Sequence, residues 1–559
     1  MLKKLFVSKF KTITSAAIVI SLAGLASRLL GIVRDRVLAG EFGAGAALDM
    51  YYAAFRVPDF VYNIVVFGAI SAGFIPIFTA LIKKEDIHDK VETSELTGGE
   101  THHVTLDNND AWDLTNNVVN VFSIALIVVS GLLLIFARDF VELISPGFSP
   151  KQIEITTNLT RIMFLSPIFL GISGIFGGVL QSFKRFFVYS LAPIMYNIGI
   201  IIGAVVFTRW WDIYGLAWGV ALGALLHLAV QLPVARELGY KYRFFTNFGD
   251  KNLIKIFKMM IPRVLGLATT QVNLIVVTIF GSMLAAGSIT IFNFAINLQS
   301  LPVGLIGIAF AIAAFPTLSS LYSKKDYRTF NNTLNHTVRM ILFGIIPMTI
   351  MFLVLRLEIV ELILDSGRFS STDARLTATA LGIFSISLFA QSLIPLLARA
   401  FFARHNTIVP FLSGLVGAGL NVLLAWILSA RFGVVGLAFA FSISAIVNFL
   451  LLIILLRTKI GDFDDVRLWN SFLKISGASI VMGVVMFFIN GPVGHWLQVS
   501  SFFGTLIQLI VVAGIGSLVY FVACTILKCK EINYLKGVMK KTYYQRMKRP
   551  KEGLRNVGR

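Results

Sequence analysis

The sequence predicts an all-α polytopic membrane protein of about fourteen transmembrane helices, arranged as two parallel six-helix lobes and a terminal helix pair. Three observations carry that expectation: bilayer-length apolar runs recur from end to end, basic residues alternate between successive loops, and the second half of the chain echoes the first. The 559 residues are 56% hydrophobic and 14% charged, with a mean hydropathy of +0.80. A soluble chain of this length needs a far more charged surface. Runs such as 118–136 and 412–428 approach the roughly twenty apolar residues that span the hydrocarbon, where only a helix satisfies its own backbone.

Loop charge supplies the second observation. Of the net charge of +20, the segment 528–559 holds eleven Lys/Arg against Glu531 and Glu552. No nucleic-acid recognition module accompanies it, so it reads as an orientation and lipid-surface signal, with membrane lipids as partners and no nucleic acid. Lys3, Lys4, Lys9 and Lys11 open the chain, and Lys184, Arg185, Lys324, Arg399 and Arg404 follow even-numbered spans. Loops after odd-numbered spans are poorer in basic residues: 41–49, 281–288 and 491–500 contain no Lys or Arg, with Arg138, Arg209, Arg368 and Arg431 the exceptions. The alternation predicts a multi-pass plasma-membrane protein with both termini in the cytoplasm. The N-terminal lysines and the apolar residues after them imitate a signal peptide, but the apolar segment runs on past any cleavage point and reads as a retained first span. Between spans 2 and 3, residues 85–113 are acidic, rich in Thr, Asn and Gly, and read as a disordered cytoplasmic insertion. Cys524 and Cys529 read as inert thiols rather than a structural disulfide. His102 and His103 have no third ligand at metal spacing, so no metal site is expected.

The internal echo is the third. Ser27-Arg-Leu-Leu-Gly31 recurs as Pro262-Arg-Val-Leu-Gly266, Ala54-Phe-Arg-Val57 aligns with Ala295-Ile-Asn-Leu298, and Tyr214-Gly-Leu-Ala-Trp218 with Val435-Gly-Leu-Ala-Phe439. Matches in order, about 220–240 residues apart and starting on the same membrane side, predict a parallel repeat about an axis along the membrane normal. The expected organisation is a first lobe over 1–240 (spans 1–6), a second over 250–460 (spans 7–12), spans 13 and 14 over 465–527, and the basic tail. Repeated halves point by analogy to alternating access, with Pro58, Pro76, Pro167, Pro193, Pro302, Pro316 and Pro410 as sources of helix kinks.

Ionisable groups inside the membrane are costly and mark function. Counting about 1.5 Å per residue, Arg28 lies about 21 Å into span 1 and Arg34 near the outer interface; Arg56 is about 10 Å below the outer surface and Arg263 about 15 Å into span 7. Asn297, on span 8, reaches similar depth. These positions predict a cationic cavity for an anionic cargo, for which the planar, permanently charged guanidinium suits a phosphate. In a straight helix Arg28 shares a stripe with Asp35, while Arg34 points about 120° away. Both arginines face one cavity if the helix bends, with Gly31 as the hinge. Alternatively Arg28 pairs with a carboxylate such as Asp49 and locks helices, while Arg34 and Arg36 reach the interface. Asn273, Asn293 and Gln299 either join the cavity or make helix–helix hydrogen bonds. No carboxylate pair, nucleophile–base set, phosphate-binding loop or nucleotide-binding domain is evident, so no enzyme chemistry and no cofactor are expected. An ion gradient or the membrane potential then drives movement, with the ion unspecified.

At these residues the chain resembles the MurJ (MviN) lipid II flippase family of the multidrug/oligosaccharidyl-lipid/polysaccharide exporter superfamily. The likeness is carried by Ser27-Arg-Leu-Leu-Gly-Ile-Val-Arg-Asp35, Phe42-Gly-Ala-Gly45, Asp49, Ala54-Phe-Arg-Val-Pro58, Gly68-Ala-Ile-Ser-Ala-Gly-Phe-Ile-Pro76, Leu301-Pro-Val-Gly-Leu-Ile-Gly307 and Leu397-Ala-Arg-Ala-Phe-Phe-Ala403. The resemblance implies fourteen helices, a cationic cavity lined by helices 1, 2, 7 and 8, and a terminal pair that holds a polyprenyl tail. The implied cargo is undecaprenyl-pyrophosphate bearing the peptidoglycan disaccharide-pentapeptide, moved from the cytoplasmic to the outer leaflet during cell-wall biogenesis, with cell-wall synthesis proteins as possible partners. It also implies substrate-binding roles for Arg28, Arg34 and Asp49 and a basic position at Arg56, which joins the expected site with Arg263 and Asn297; Pro58, from its own kink, reads as a second hinge. The chain departs from the family pattern at Tyr62 and Asn63, where arginines are usual, at Phe67, where an acid is usual, and at Asn297, which replaces a helix 8 arginine. Arg263, the repeat partner of Arg28, is the expected substitute for the missing charge. The alternatives are a flippase for another polyprenyl-linked glycan and a cation-coupled drug exporter; the latter predicts acidic rather than arginine residues in the first lobe.

Overall fold

The computed structural model describes residues 13–63, 73–82, 109–460, 464–497 and 501–532, without the side chains of 13–21, 261–270 and 460. The opening lysines, insertion residues 85–108, Phe67, the tail beyond 532 and the side chain of Arg263 therefore lie outside the described residues. Within them all regular structure is helical. Among the described residues, ten helices are long and apolar enough to cross a bilayer, eleven if Ser371–Ile386 and Leu388–Ala403, bent by 47°, count as one span. The described residues do not reach the expected count of fourteen, because helices Ile13–Phe42, Ala46–Tyr62 and Lys251–Ser282 border or contain residues outside the description.

The residues pack as two compact units. One comprises Met1–Ile291, Ile363–Asp373 and Val422–Leu437; the other comprises Phe292–Leu362, Ala374–Asn421 and Ala438–Arg559.

In the first unit, helix Asn109–Ile135 starts earlier than the sequence reading allowed, so residues 109–113 form its first turn rather than the end of the insertion. Trp112 is the physical reason. Its ring stacks on Phe183 at 5.8 Å and lies 5.8 Å from Phe78 and 5.9 Å from Tyr240, and burying an aromatic side chain stabilises by about 1.5–3 kcal/mol. One turn further on, the same helix carries an asparagine ladder. Asn116 donates to Lys241 O (3.1 Å) and accepts from Arg243 N (3.1 Å); Asn117 donates to Asn247 O (2.9 Å) and accepts from Asn247 N (2.8 Å). Asn120 donates to Arg243 O and Phe245 O, both at 3.0 Å. Three side-chain amides thus strap down a connector that has no helical hydrogen bonds of its own.

Small residues set the closest approaches. A Cβ on Gly199 would stand 2.2 Å from Gly223 Cα, and one on Gly203 2.4 Å from Gly219 Cα, so helices Phe186–Ile202 and Tyr214–Ala229 meet backbone to backbone. The repeated Gly-Leu-Ala motif has one job in both copies. A Cβ on Gly215 would lie 2.4 Å from Thr208 N, and one on Gly436 2.1 Å from Leu428 O; each glycine closes a helix onto the end of the one before it.

In the second unit, the rings of Phe292, Phe384 and Phe441 form a mutually edge-on core, with centroids 5.0–6.1 Å apart. Gln299 and Gln391 exchange side-chain amide bonds at 2.7 and 3.1 Å, so of the two readings open for Gln299 the helix–helix bond is the one observed. Tyr520 Oη donates to Phe343 O at 2.7 Å. Arg339 Nε meets Glu531 Oε1 at 2.8 Å, with the carboxylate side chain 1% exposed. Cys524 and Cys529 are buried free thiols.

Candidate functional site

Helix Ile13–Phe42 is unbroken across Gly31, and a Cβ at that position would meet nothing within 4 Å. The long Arg34 side chain folds back on its neighbour: Nε and Nη2 donate to Asp35 Oδ1 at 3.0 and 2.8 Å. Nη1 reaches across to Asn197 Oδ1 at 3.2 Å. Asn197 in turn donates to Pro193 O at 3.1 Å and to Ser27 O at 3.5 Å. Arg34 is therefore held among protein groups, next to Tyr51 and Tyr52, rather than extended to an interface. Asp35 is buried, a placement tolerated for a carboxylate only beside such a partner.

Asp49 lies in the first turn of helix Ala46–Tyr62 and is 3% exposed. Its carboxylate serves another helix. Oδ2 accepts from Gly287 N at 2.6 Å, and Oδ1 accepts from Thr290 N at 2.8 Å and Thr290 Oγ1 at 2.7 Å. These are the orphan donors at the start of helix Ser288–Pro302, where the helix dipole also favours an anion. Gly287 makes the approach possible: its φ is +95°, and a Cβ there would lie 2.1 Å from Ala44 O.

Seven residues along, Arg56 is buried, and its Nε donates to Thr278 Oγ1 on helix Lys251–Ser282 at 2.9 Å. Asp59, one turn further, interacts electrostatically with it. Pro58 sits inside the same helix, buried. Arg28 is half-buried on the first helix. Arg36 donates to Ile363 O at 3.2 Å, while Ser366 Oγ donates to Arg36 O at 3.2 Å and Arg368 N to Gly40 O at 2.9 Å. Gly367, with φ +56°, permits this docking, since a Cβ there would stand 2.3 Å from Gly40 O. Arg263 lies on helix Lys251–Ser282. Asn297 belongs to the second unit, half-buried, with its carbonyl accepting from Ser300 Oγ at 2.7 Å.

The structure thus gathers Arg34, Asp49 and Arg56 into one unit and gives each arginine an acidic neighbour. Asp35, Asn197, Thr278 and Thr290 complete the constellation and were not among the residues selected from sequence. Asn197 had a usable signal, a lone amide in an otherwise apolar helix. So did Thr290, a hydroxyl in the first turn after a glycine. Chemically, the arrangement offers guanidinium groups whose charge is compensated internally and can be handed to an incoming anion.

Comparisons with known proteins converge on one family. Residues 38–507 match the family described as lipid II flippase MurJ. A probable lipid II flippase MurJ from Buchnera aphidicola subsp. Schizaphis graminum is 28% identical over 533 residues, covering 93% of this chain and 98% of the relative. Another from Thermotoga maritima is 28% identical, covering 92% and 96%. Among solved structures, a lipid II flippase MurJ in an inward closed conformation aligns with a TM-score of 0.70 and 25% identity, over 92% of this chain and all of that one. An inward-facing multidrug resistance MATE transporter of the MOP superfamily aligns at 0.62 with 12% identity over 80% of this chain and 99% of its own, a likeness of fold alone.

Proposed function

The chain belongs to the MurJ family of lipid II flippases, and from that premise we propose a mechanism by which it moves lipid II from the cytoplasmic to the outer leaflet. It is a multi-pass membrane flippase. The observation that carries the mechanism is that each of two arginines has an acid of its own helix beside it, Arg34 in an ion pair with Asp35 and Arg56 under the electrostatic influence of Asp59. An unpaired guanidinium in a low-dielectric site is expensive, so the empty carrier keeps each one matched. A pyrophosphate headgroup offers bidentate acceptors and enough charge to take the guanidinium groups over from the carboxylates. Arg28 and Arg263 add to the positive charge that draws the headgroup in. The Asp49 cap holds the starts of two helices together and breaks when the carrier opens on that side. The membrane potential or an ion gradient sets the direction of the cycle.

The test is translocation of lipid II by the full chain in proteoliposomes, together with rescue of a cell depleted of its own lipid II flippase. Arg28→Ala should abolish both while leaving the protein folded in the membrane. Full translocation by Arg28→Ala would refute the cationic mechanism, and failure of the wild type to rescue would refute the cargo.

A further inference from the structure

The second unit contains a cavity of about 780 Å³ that none of the residues discussed above line. It lies where three helices end together. Arg356 stands just past the apolar span Tyr327–Val354, Arg375 lies in the first turns of Ser371–Ile386, and Asn490 and Gly491 lie in the last turns of Asp465–Trp496. Residues at such positions sit at the level of lipid headgroups. The walls are apolar, with Leu357 on one side and Phe487, 70% exposed, on the other.

Charge chooses the occupant. Asn490 Nδ2 donates to Glu358 Oε1, and Gln508 Nε2 donates to Asn490 Oδ1 at 2.9 Å; this amide chain holds the one lining carboxylate against the helix. Two guanidinium groups and one carboxylate leave the lining with a single net positive charge, complementary to one phosphodiester. Arg356 is not free to leave: a Cβ on Gly382 would lie 3.1 Å from Arg356 Cδ, so the arginine stem lies across that glycine. Its Nη1 also donates to Leu353 O. By contrast, a Cβ on Gly491 would meet nothing within 4 Å, so the groove is open beside it.

We propose that this groove is a binding site for an anionic bilayer phospholipid, with Arg356 and Arg375 on its phosphate and an acyl chain along Leu357 and Phe487. Its occupancy is read without any translocation.

The full-length protein, purified in mild detergent, is offered phosphatidylglycerol or phosphatidylcholine of identical acyl chains, and retained lipid is measured by native mass spectrometry. Wild type should retain phosphatidylglycerol about tenfold over phosphatidylcholine. Arg356→Gln with Arg375→Gln should remove that preference, and the matching lysine pair should restore most of it. Gly491→Leu fills the groove from open space and should reduce retention of both lipids with an unchanged melting temperature. Equal retention of the two lipids by wild type, or an undiminished preference in both the glutamine pair and Gly491→Leu, would overturn the proposal. So would displacement of phosphatidylglycerol by an equimolar polyprenyl phosphate, which would make the groove an isoprenoid path.

Discussion

At the scale of single residues, Asp49 has the most sharply defined role. A carboxylate in the first turn of one helix normally helps its own N-terminus; here it accepts three hydrogen bonds from the start of another. Hydrogen bonds to a charged group contribute about 1.5–3 kcal/mol each. Asp49→Ala should therefore lower the melting temperature and cut lipid II translocation more than tenfold. Thr290→Val removes only the hydroxyl donor and should cost about 1–2 kcal/mol. Thermal unfolding and transport measured on the same preparations separate this capping role from direct cargo contact: loss of transport at unchanged stability in Asp49→Ala would favour cargo contact. The sequence marked Asp49 as important through its motif and as a possible partner of Arg28, but not what it touches. Its partners, Gly287 and Thr290, lie about 240 positions away, and no local spacing rule connects residues at that separation. Arg34 shows the same limit. Helical angles predicted that it would diverge from Arg28, but not that a neighbouring acid and Asn197 would take it inward without any break at Gly31.

At the scale of elements, periodicity and apolar length read the helices well wherever lipid faces them, as for Val434–Ile460 and Phe502–Ile526. The reading failed where burial replaced lipid. Residues 109–113 are polar apart from Ala111 and Trp112, and that indole, packed among three aromatic rings, is what turns them into helix. The post-span segment around Glu531 is similar. It counted in the sequence only as part of a basic tail, yet its one early acid is buried on Arg339. Breaking a buried pair from one side costs about 3–5 kcal/mol, while replacing both partners by apolar residues is often neutral. Arg339→Met and Glu531→Leu should each lower thermal stability by several degrees, and the double variant should regain most of the loss. Additive losses in the double-mutant cycle would mean that the two side chains do not act as a pair.

At the scale of the whole molecule, the internal echo was the most informative feature of the sequence, because a repeat carries structural equivalence without any contact prediction. Gly215 and Gly436, at matching places in the echo, each close their helix onto the preceding one at a separation only glycine allows. What the echo could not reveal is the asymmetry between the copies. The connector after the first is tied down by Asn116, Asn117 and Asn120, amides that in a sequence resemble ordinary loop-forming residues. Connector residues 241–245 are mostly exposed and include Lys241 and Arg243. Even so, a strapped backbone cannot enter a protease cleft without local opening. Limited trypsin digestion should leave this segment intact in wild type and cut it in the Asn116→Ala, Asn120→Ala double variant. Early cleavage of the wild type there would mean the ladder is too weak to hold.

The ladder also bears on how the chain is made. Its hydrogen bonds join residues 122–130 positions apart, so the asparagines enter the membrane region while the backbone they will hold is still unsynthesised. At about 5–20 residues per second, several seconds or more pass before residues 241–247 follow. Over that interval a ribosome-bound intermediate keeps three polar amides in waiting. The first repeat is sealed only when the chain has left it.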